Sequence, residues 1–344
     1  MKSIKDFNVN GKRILVRCDF NVPLDEKGNI LDDFRIKQTL PTIKYLIENK
    51  AKIILMSHLD NPDGSVTENL YKIKERLEEL LNVIIEKTND CVGSEVTEKA
   101  SKLKEGGILL LENLRFHQQE INNDPEFAKE ISNLGDIYIN DAFSVCHRAH
   151  ASVVGVPQYL SHGAGLLLER EVKSLNKILK NPEKPVMVLI GGKKVKDKAK
   201  FIEKMLDLAD YVIISGLIKN ELIKEKHSHI LENVRMFGPE DNLEALDISD
   251  ETIDLFCKKI LTAKTVLWNG PFGKFEDENY KKGTLAIANA IIESGAFSVV
   301  GGGATVEFLN KEGLADKFSH VSTGGGAMLD FLSGEELPGI KALK

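Results

Sequence analysis

Cysteine is scarce in this chain. Cys18, Cys91, Cys146 and Cys257 lie far apart in 344 residues, with no CxxC pair and no metal-type spacing. In a reducing compartment the four are expected as small buried hydrophobes rather than disulfides, with a catalytic thiol as the alternative. Long apolar runs are missing too, so no membrane helix is expected. Positive charge is not in excess, with 46 Lys and Arg against 52 Asp and Glu and a formal net charge of -6. That balance argues against nucleic acid as a partner, and any anion site has to be a local cluster of cations. The opening MKSIKDFNVNGKRILV has no apolar core with a small-residue cleavage site, so no secretory leader is read and the cytoplasm is the expected location. A monomer is expected.

What is present is an ordinary globular composition, 42% apolar and 28% charged, over a length that exceeds one usual hydrophobic core. Short apolar runs alternate with longer amphipathic ones. RILVR at 13–17, KIILM at 52–56, ILLL at 108–111 and DIYI at 136–139 read as strands, with helices over 36–48 and 70–81 between them. After Pro185 the rhythm restarts with VMVLIG, DYVIIS at 210–215, TVLW at 265–268 and FSVV at 297–300. This is the strand–helix alternation of parallel α/β sheets, twice over. The expected organisation is a first α/β domain over 1–167, a hinge helix over 168–183 and a second α/β domain over 184–329, with the tail 330–344 returning to the first.

In open parallel sheets ligands sit beyond the carboxyl ends of the strands. In the first half those ends carry Asp19-Phe20-Asn21, Ser57-His58-Leu59, Glu112 to His117, and the segment with His147, Arg148 and His150; Arg35 stands at a helix start. Guanidinium forks suit phosphate and carboxylate oxygens, and the shared location predicts a pocket for a small dianion. For any one residue the alternative is a solvated arginine or a satisfied histidine. Zinc held by His117, His147 and His150 is not expected, because further ligands are lacking and neighbouring arginines would repel the ion.

In the second half Gly191 and Gly192 precede Lys194 and Lys198, which stand one helical turn apart. TVLW leads into Asn269-Gly270-Pro271, with Glu276 following as a carboxylate suited to a ribose hydroxyl. Two runs pass from an apolar stretch through three glycines into a helix-like segment, at Gly301 to Gly303 and at Gly324 to Gly326. Such helix starts offer unpaired N–H groups to phosphate, and the alternative is a plain cap or tight turn. Neither run has the lysine of a P-loop or the spacing of a dinucleotide fingerprint.

Taken in order, VRCDFNVPL, LPTIKYL, LLLENLRFH, NDAFSVCHRAHAS, GGKKVKDK, WNGPFGKFE, STGGGA and LPGIKAL resemble the phosphoglycerate kinase family over nearly the whole chain. The resemblance implies two Rossmann-like domains with parallel sheets joined by a hinge. The first would bind 3-phosphoglycerate or 1,3-bisphosphoglycerate and the second Mg2+ with ATP or ADP. It places Asp19, Phe20, Asn21, Arg35, His58, the Asn61 position, Arg115, His147 and Arg148 at the glycerate. It places Gly191, Gly192, Lys194, Lys198, Asn269, Pro271, Glu276, Gly301, Gly302, Gly303, Ala304 and Thr305 at the nucleotide. Arg35 and Lys198 would accompany the transferring phosphoryl group, and Gly324, Gly325 and Gly326 would form a loop near it. In such chemistry positioning and charge neutralisation matter more than a protein nucleophile, and substrates on separate domains would meet on closure.

The chain departs from the family pattern in three places. SHLDNP puts Asp60 and Asn61 where glycine and arginine are usual, Ala304 stands at a usual acidic position associated with magnesium, and ISGLIKNELI replaces a glycine-rich adenine-side motif. These departures leave two alternatives beside an active kinase: a catalytically weakened paralogue that binds nucleotide or a partner, and a kinase for another small carboxylate.

Overall fold

The structure is a computed structural model that describes residues 1–60, 68–192 and 199–344. The chain forms two compact units, Met1–Glu171 with Glu336–Lys344, and Val172–Glu335. The division falls inside a helix, Leu166–Lys180. Among the described residues no helix is long and apolar enough to cross a membrane.

Unit 1 is built on strands β1 (Arg13–Arg17), β2 (Lys52–Met56), β3 (Ile85–Lys87), β4 (Ile108–Leu110), β5 (Ile137–Asn140) and β6 (Ser161–Ala164). They pair in parallel in the order β3-β4-β2-β1-β5-β6. Helices α1 (Phe34–Glu48), α2 (Tyr71–Leu81), α3 (Ser94–Lys102), α4 (Gln118–Ile121) and α5 (Pro125–Ser132) accompany the sheet. The inner strands are buried along nearly their whole length, as parallel strands covered on both faces must be, so RILVR and KIILM read as continuous runs. The first helix carries its apolar positions Ile36, Ile43 and Leu46 on one stripe, all without exposed area. Residues Pro338–Lys341 form a short helix of this unit, and a Cβ on Gly339 would sit 2.9 Å from Cys146 Cα, so glycine is what lets the tail lie so close.

Unit 2 repeats the plan. Strands β7 (Val186–Ile190), β8 (Tyr211–Ile214), β9 (Met236–Phe237), β10 (Thr265–Asn269), β11 (Phe297–Gly301) and β12 (His320–Val321) pair in parallel in the order β12-β11-β10-β7-β8-β9. The chain passes through α6 (Leu166–Lys180) and α7 (Ala199–Leu208), then α8 (Gly216–Lys224), α9 (Ser228–Leu231), α10 (Asp250–Ile260), α11 (Lys282–Ser294), α12 (Gly303–Lys311) and α13 (Gly326–Leu332). The fold class is α/β with parallel sheets, as the alternation predicts. In each sheet the strand order reverses at the centre, beside β1 and β5 in one and between β7 and β10 in the other. Those reversals open crevices at the strands' carboxyl ends.

Three strands have no counterpart among the runs read as strands: β3, β6 and β9, all sheet edges of two to four residues, and none a long apolar run; β12, the fourth edge, is the stretch before the second glycine run. An edge strand is paired on one side alone and needs no continuous hydrophobic stretch.

Candidate functional site

In unit 1 the carboxyl ends of the central strands carry a cluster of guanidinium groups. Arg17, the last residue of β1, is almost wholly buried; its Nε donates to Ser152 Oγ at 2.8 Å, and that hydroxyl donates to Glu120 Oε1 at 2.6 Å. The same guanidinium lies 3.3 Å from His58 Nδ1 at the end of β2. Arg35, in the first turn of α1, donates to Asp19 Oδ2 at 2.9 Å and to the Asn21 carbonyl at 3.0 Å, which ties the helix to the loop after β1. Asp19 also accepts from the Ser144 hydroxyl. Asn113, buried after β4, accepts from the N–H groups of Leu59 and Arg115 and donates to the Leu59 carbonyl, so one amide joins two strand-end loops and sets Arg115 in place.

The electrostatics record how crowded these cations are. Burial, reinforced by Arg17, Arg115, Arg148 and Arg35, holds His58 well below the usual imidazole range. Burial, with Arg115, Arg148, Arg17 and His147, pushes His150 down to about 4. Burial also lowers Arg115 from its ordinary value, partly offset by Asp60. Arg148 Nε lies 3.4 Å from His147 Nε2. His58 and His150 are therefore neutral at pH 7 and the arginines carry the charge. Phe20 is fully buried and packs in the core, so of this residue the backbone is what faces its surroundings; its N–H donates to Ser57 Oγ at 2.9 Å. Asp60 fills part of the cationic field: Arg115 reaches its carboxylate at 3.1 Å and His58 lies 3.8 Å away.

In unit 2 the corresponding region is made mainly of backbone. The turns after β7 and β10 touch so closely that a Cβ on Gly191 would sit 2.1 Å from the Pro271 carbonyl oxygen, and one on Gly270 2.2 Å from the Gly191 oxygen. Gly191 and Gly192 donate to the carbonyls of Asn269 and Pro271 at 2.8 and 3.0 Å. Gly270 donates to the Thr305 hydroxyl at 2.9 Å, joining the start of α12 to this turn. Asn269 is buried, and its Nδ2 would lie 3.0 Å from a Cβ on Gly302, whose φ of +94° itself favours glycine. Helix α12 begins without a side-chain cap, and Gly303 and Ala304 are exposed there. The glycines do different things: Gly301 makes room for Met328, whose sulfur would be 2.4 Å from its Cβ, while Gly303 has open space. Of the second run, Gly324 is buried and Gly325 and Gly326 have open space around them at the start of α13. Glu276 is exposed in the turn after β10. Asn61, Lys194 and Lys198 lie outside the described residues.

A model of the family described as phosphoglycerate kinase matches residues 4–236 and 228–335. The chain belongs to the phosphoglycerate kinase family. It is 42% identical over 393 aligned positions to the phosphoglycerate kinase of Chlorobium phaeobacteroides, covering 99% of both chains. It is 41% identical to that of Borreliella afzelii, covering all of this chain and 99% of the relative. Among solved structures, the phosphoglycerate kinase of Pyrococcus horikoshii superposes with a TM-score of 0.91 at 32% identity, covering 100% of this chain and 98% of the other. That of Coxiella burnetii gives 0.85 at 35%, covering 99% and 98%.

Alignments of 393 positions exceed the 344 residues of this chain, so the family members compared carry segments that it lacks. The two family matches overlap at 228–236, next to β9. Within the phosphoglycerate kinase pattern, Arg17 is the residue that reading the strand ends passed over. Its signal was available, since a cation at the end of a strand otherwise read as buried has to find a partner or a ligand.

Proposed function

We propose that the chain transfers a phosphoryl group reversibly between 1,3-bisphosphoglycerate and ADP, giving 3-phosphoglycerate and ATP, as a carboxyl-directed phosphotransferase of glycolysis and gluconeogenesis. The observation that carries this reading is the guanidinium cluster of Arg17, Arg35, Arg115 and Arg148 around neutral His58, within a chain that matches the family from end to end. Unit 1 would hold the glycerate, with Arg35, Arg115 and Arg148 on its anionic groups, Asp19 and Asn21 orienting Arg35, His58 as an uncharged neighbour and His147 beside Arg148. Unit 2 would hold the nucleotide, its phosphates over Gly191, Gly192 and the uncapped start of α12, its sugar toward Asn269, Pro271 and Glu276. The helix joining the units would act as the hinge.

The attacking carboxylate is already ionised at neutral pH, so the reaction needs no general base. What the protein supplies is in-line positioning and cations on the equatorial oxygens of the moving group. Arg35 fits that role from unit 1 and Lys198 from unit 2.

The residues described at the start of α12 offer no carboxylate cage, since Ala304 has no ligand atom. Among the described residues the one group of three His, Cys, Asp or Glu ligand atoms is elsewhere, in unit 1. Magnesium therefore fits this chain as part of the metal–nucleotide substrate, keeping its waters and bound through phosphate oxygens. We assign the protein to the cytoplasm as a monomer. The comparisons give no support to a catalytically weakened paralogue or to a kinase for another carboxylate.

A coupled assay tests the reading. Purified protein is expected to form ADP from ATP and 3-phosphoglycerate in a magnesium-dependent way; no turnover would overturn it. Substituting Asn61→Arg and Ala304→Asp is expected to lower the apparent KM for glycerate and for metal-nucleotide respectively.

A further inference from the structure

Three side chains of different donor chemistry converge at the neighbouring ends of β3 and β4. Asp90 and Cys91 follow β3, and His117 follows the turn Leu114–Phe116 beyond β4. His117 Nε2 lies 2.6 Å from Asp90 Oδ1, and one ligand atom from each of Asp90, Cys91 and His117 lies within 4.8 Å of the others. We propose that Asp90, Cys91 and His117 form a binding site for a borderline-soft divalent cation, with Zn2+ as the ion these donors suit best.

The donor set selects the metal. A thiolate and an imidazole suit zinc and its neighbours, whereas magnesium and calcium take oxygen ligands. Three protein ligands leave the fourth tetrahedral position for water. Zinc bonds of about 2.0–2.3 Å place ligand atoms roughly 3.3–3.6 Å apart, so Asp90 has to withdraw from His117 by less than about 1 Å. It can do so, because its side chain is 50% exposed; His117 is 24% exposed, which also gives the ion a way in.

The surrounding field has the sign a cation requires. Burial holds the Cys91 thiol protonated without metal, and Asp90, Glu112 and Glu120 add negative charge around it, opposed by Lys87, which is itself ion-paired to Glu112. The contrast with His147 and His150 is direct, because arginines surround that pair. Without metal the Cys91 thiol donates to the Glu112 carbonyl at 2.9 Å; on binding it would release its proton to the buffer and turn its sulfur to the ion. The ion would fasten the turn that carries Arg115 to the end of β3.

Co2+ added to the full-length apo protein is the test, since its thiolate charge-transfer absorption reports sulfur ligation without reference to activity. One equivalent per chain is expected to give the near-ultraviolet band, competed away by Zn2+. Cys257→Ser should leave the band unchanged and Cys91→Ser should abolish it. His117→Gln, altering a partly exposed side chain that an amide can replace without unfolding the chain, is expected to weaken Zn2+ binding by about tenfold or more and to lose the Zn2+-induced rise in Tm. No band, a band that survives Cys91→Ser, a band lost in Cys257→Ser, or unchanged Zn2+ affinity in His117→Gln would each overturn the assignment. Loss of turnover with metal binding intact would bear on the proposed kinase reaction and leave this site standing.

Discussion

On the proposed reading, the two units apply one architecture to anion recognition in opposite ways. In unit 1 the strand ends project side chains, and the site consists of arginines held by Asp19, Ser152, Asn113 and Asp60. In unit 2 the strand ends are nearly bare, and backbone meets backbone at Gly191, Gly270 and Gly302. Side-chain sites carry net charge and are tuned by counter-ions. Backbone sites carry dipoles and are tuned by how closely the chain can approach. The first kind should respond to charge and pH, the second to a single added methyl group.

The largest expected effect is on the side-chain site. Arg35→Ala removes the cation proposed to act on the transferring group and is expected to lower kcat by about 10²–10³-fold, measured in the coupled assay, with Arg35→Lys recovering part of it. An equal loss of stability would show that the pair with Asp19 is structural instead.

A methyl group tests the other side of the comparison. Gly191→Ala puts a carbon on the Pro271 carbonyl and should cost about 1–3 kcal/mol in denaturant unfolding while raising the KM for nucleotide. Gly303→Ala, with open space around it, should leave stability unchanged and affect nucleotide binding alone. If the two alanines behave alike, close backbone approach is not what distinguishes unit 2.

The pH dependence comes next and belongs to unit 1. His58 and His150 have folded pKa values below the ordinary 6.5, so the unfolded chain binds more protons than the folded one as pH falls through that value. Asp141, whose carboxylate accepts from Leu167 and Leu168 at the start of α6, is pushed up by burial to about 7 and acts in the opposite direction. Between about pH 4 and 6.5 two histidines oppose Asp141 and, in part, Asp247, whose carboxyl burial also raises. Stability should fall on acidification by roughly 1.4 kcal/mol per pH unit at most, one proton's worth. Denaturant titrations across that window check the slope, and His150→Gln should flatten it.

The smallest effect concerns the counter-ion. Asp60→Asn frees Arg115 from a competing carboxylate and should lower the KM for 3-phosphoglycerate by about three- to tenfold. A raised KM would show instead that Asp60 is needed to hold Arg115 in position.

Much of this was legible in the chain. Continuous apolar runs marked the central strands because both faces of those strands are covered. The polar residues that follow them marked Asp19, His58, Arg115 and Arg148, because parallel topology brings strand ends together. The edge strands β3, β6 and β9 left little trace, since pairing on one side asks for little hydrophobicity. Arg17 was hidden inside a strand, and Phe20 stands among polar site residues while packing in the core.

The sequence by itself determined the α/β class, the family and the residue types that the two proposed anion sites draw on, because periodicity and motif order are local properties of the chain. Tertiary structure alone decided which groups meet. It set Asp60 against Arg115, gave Gly301 to Met328 and Gly303 to open space, and took His117 away from the other histidines to Asp90 and Cys91. Those outcomes depend on distances between segments far apart in the chain, and these distances follow from strand order and packing rather than from spacing along the sequence.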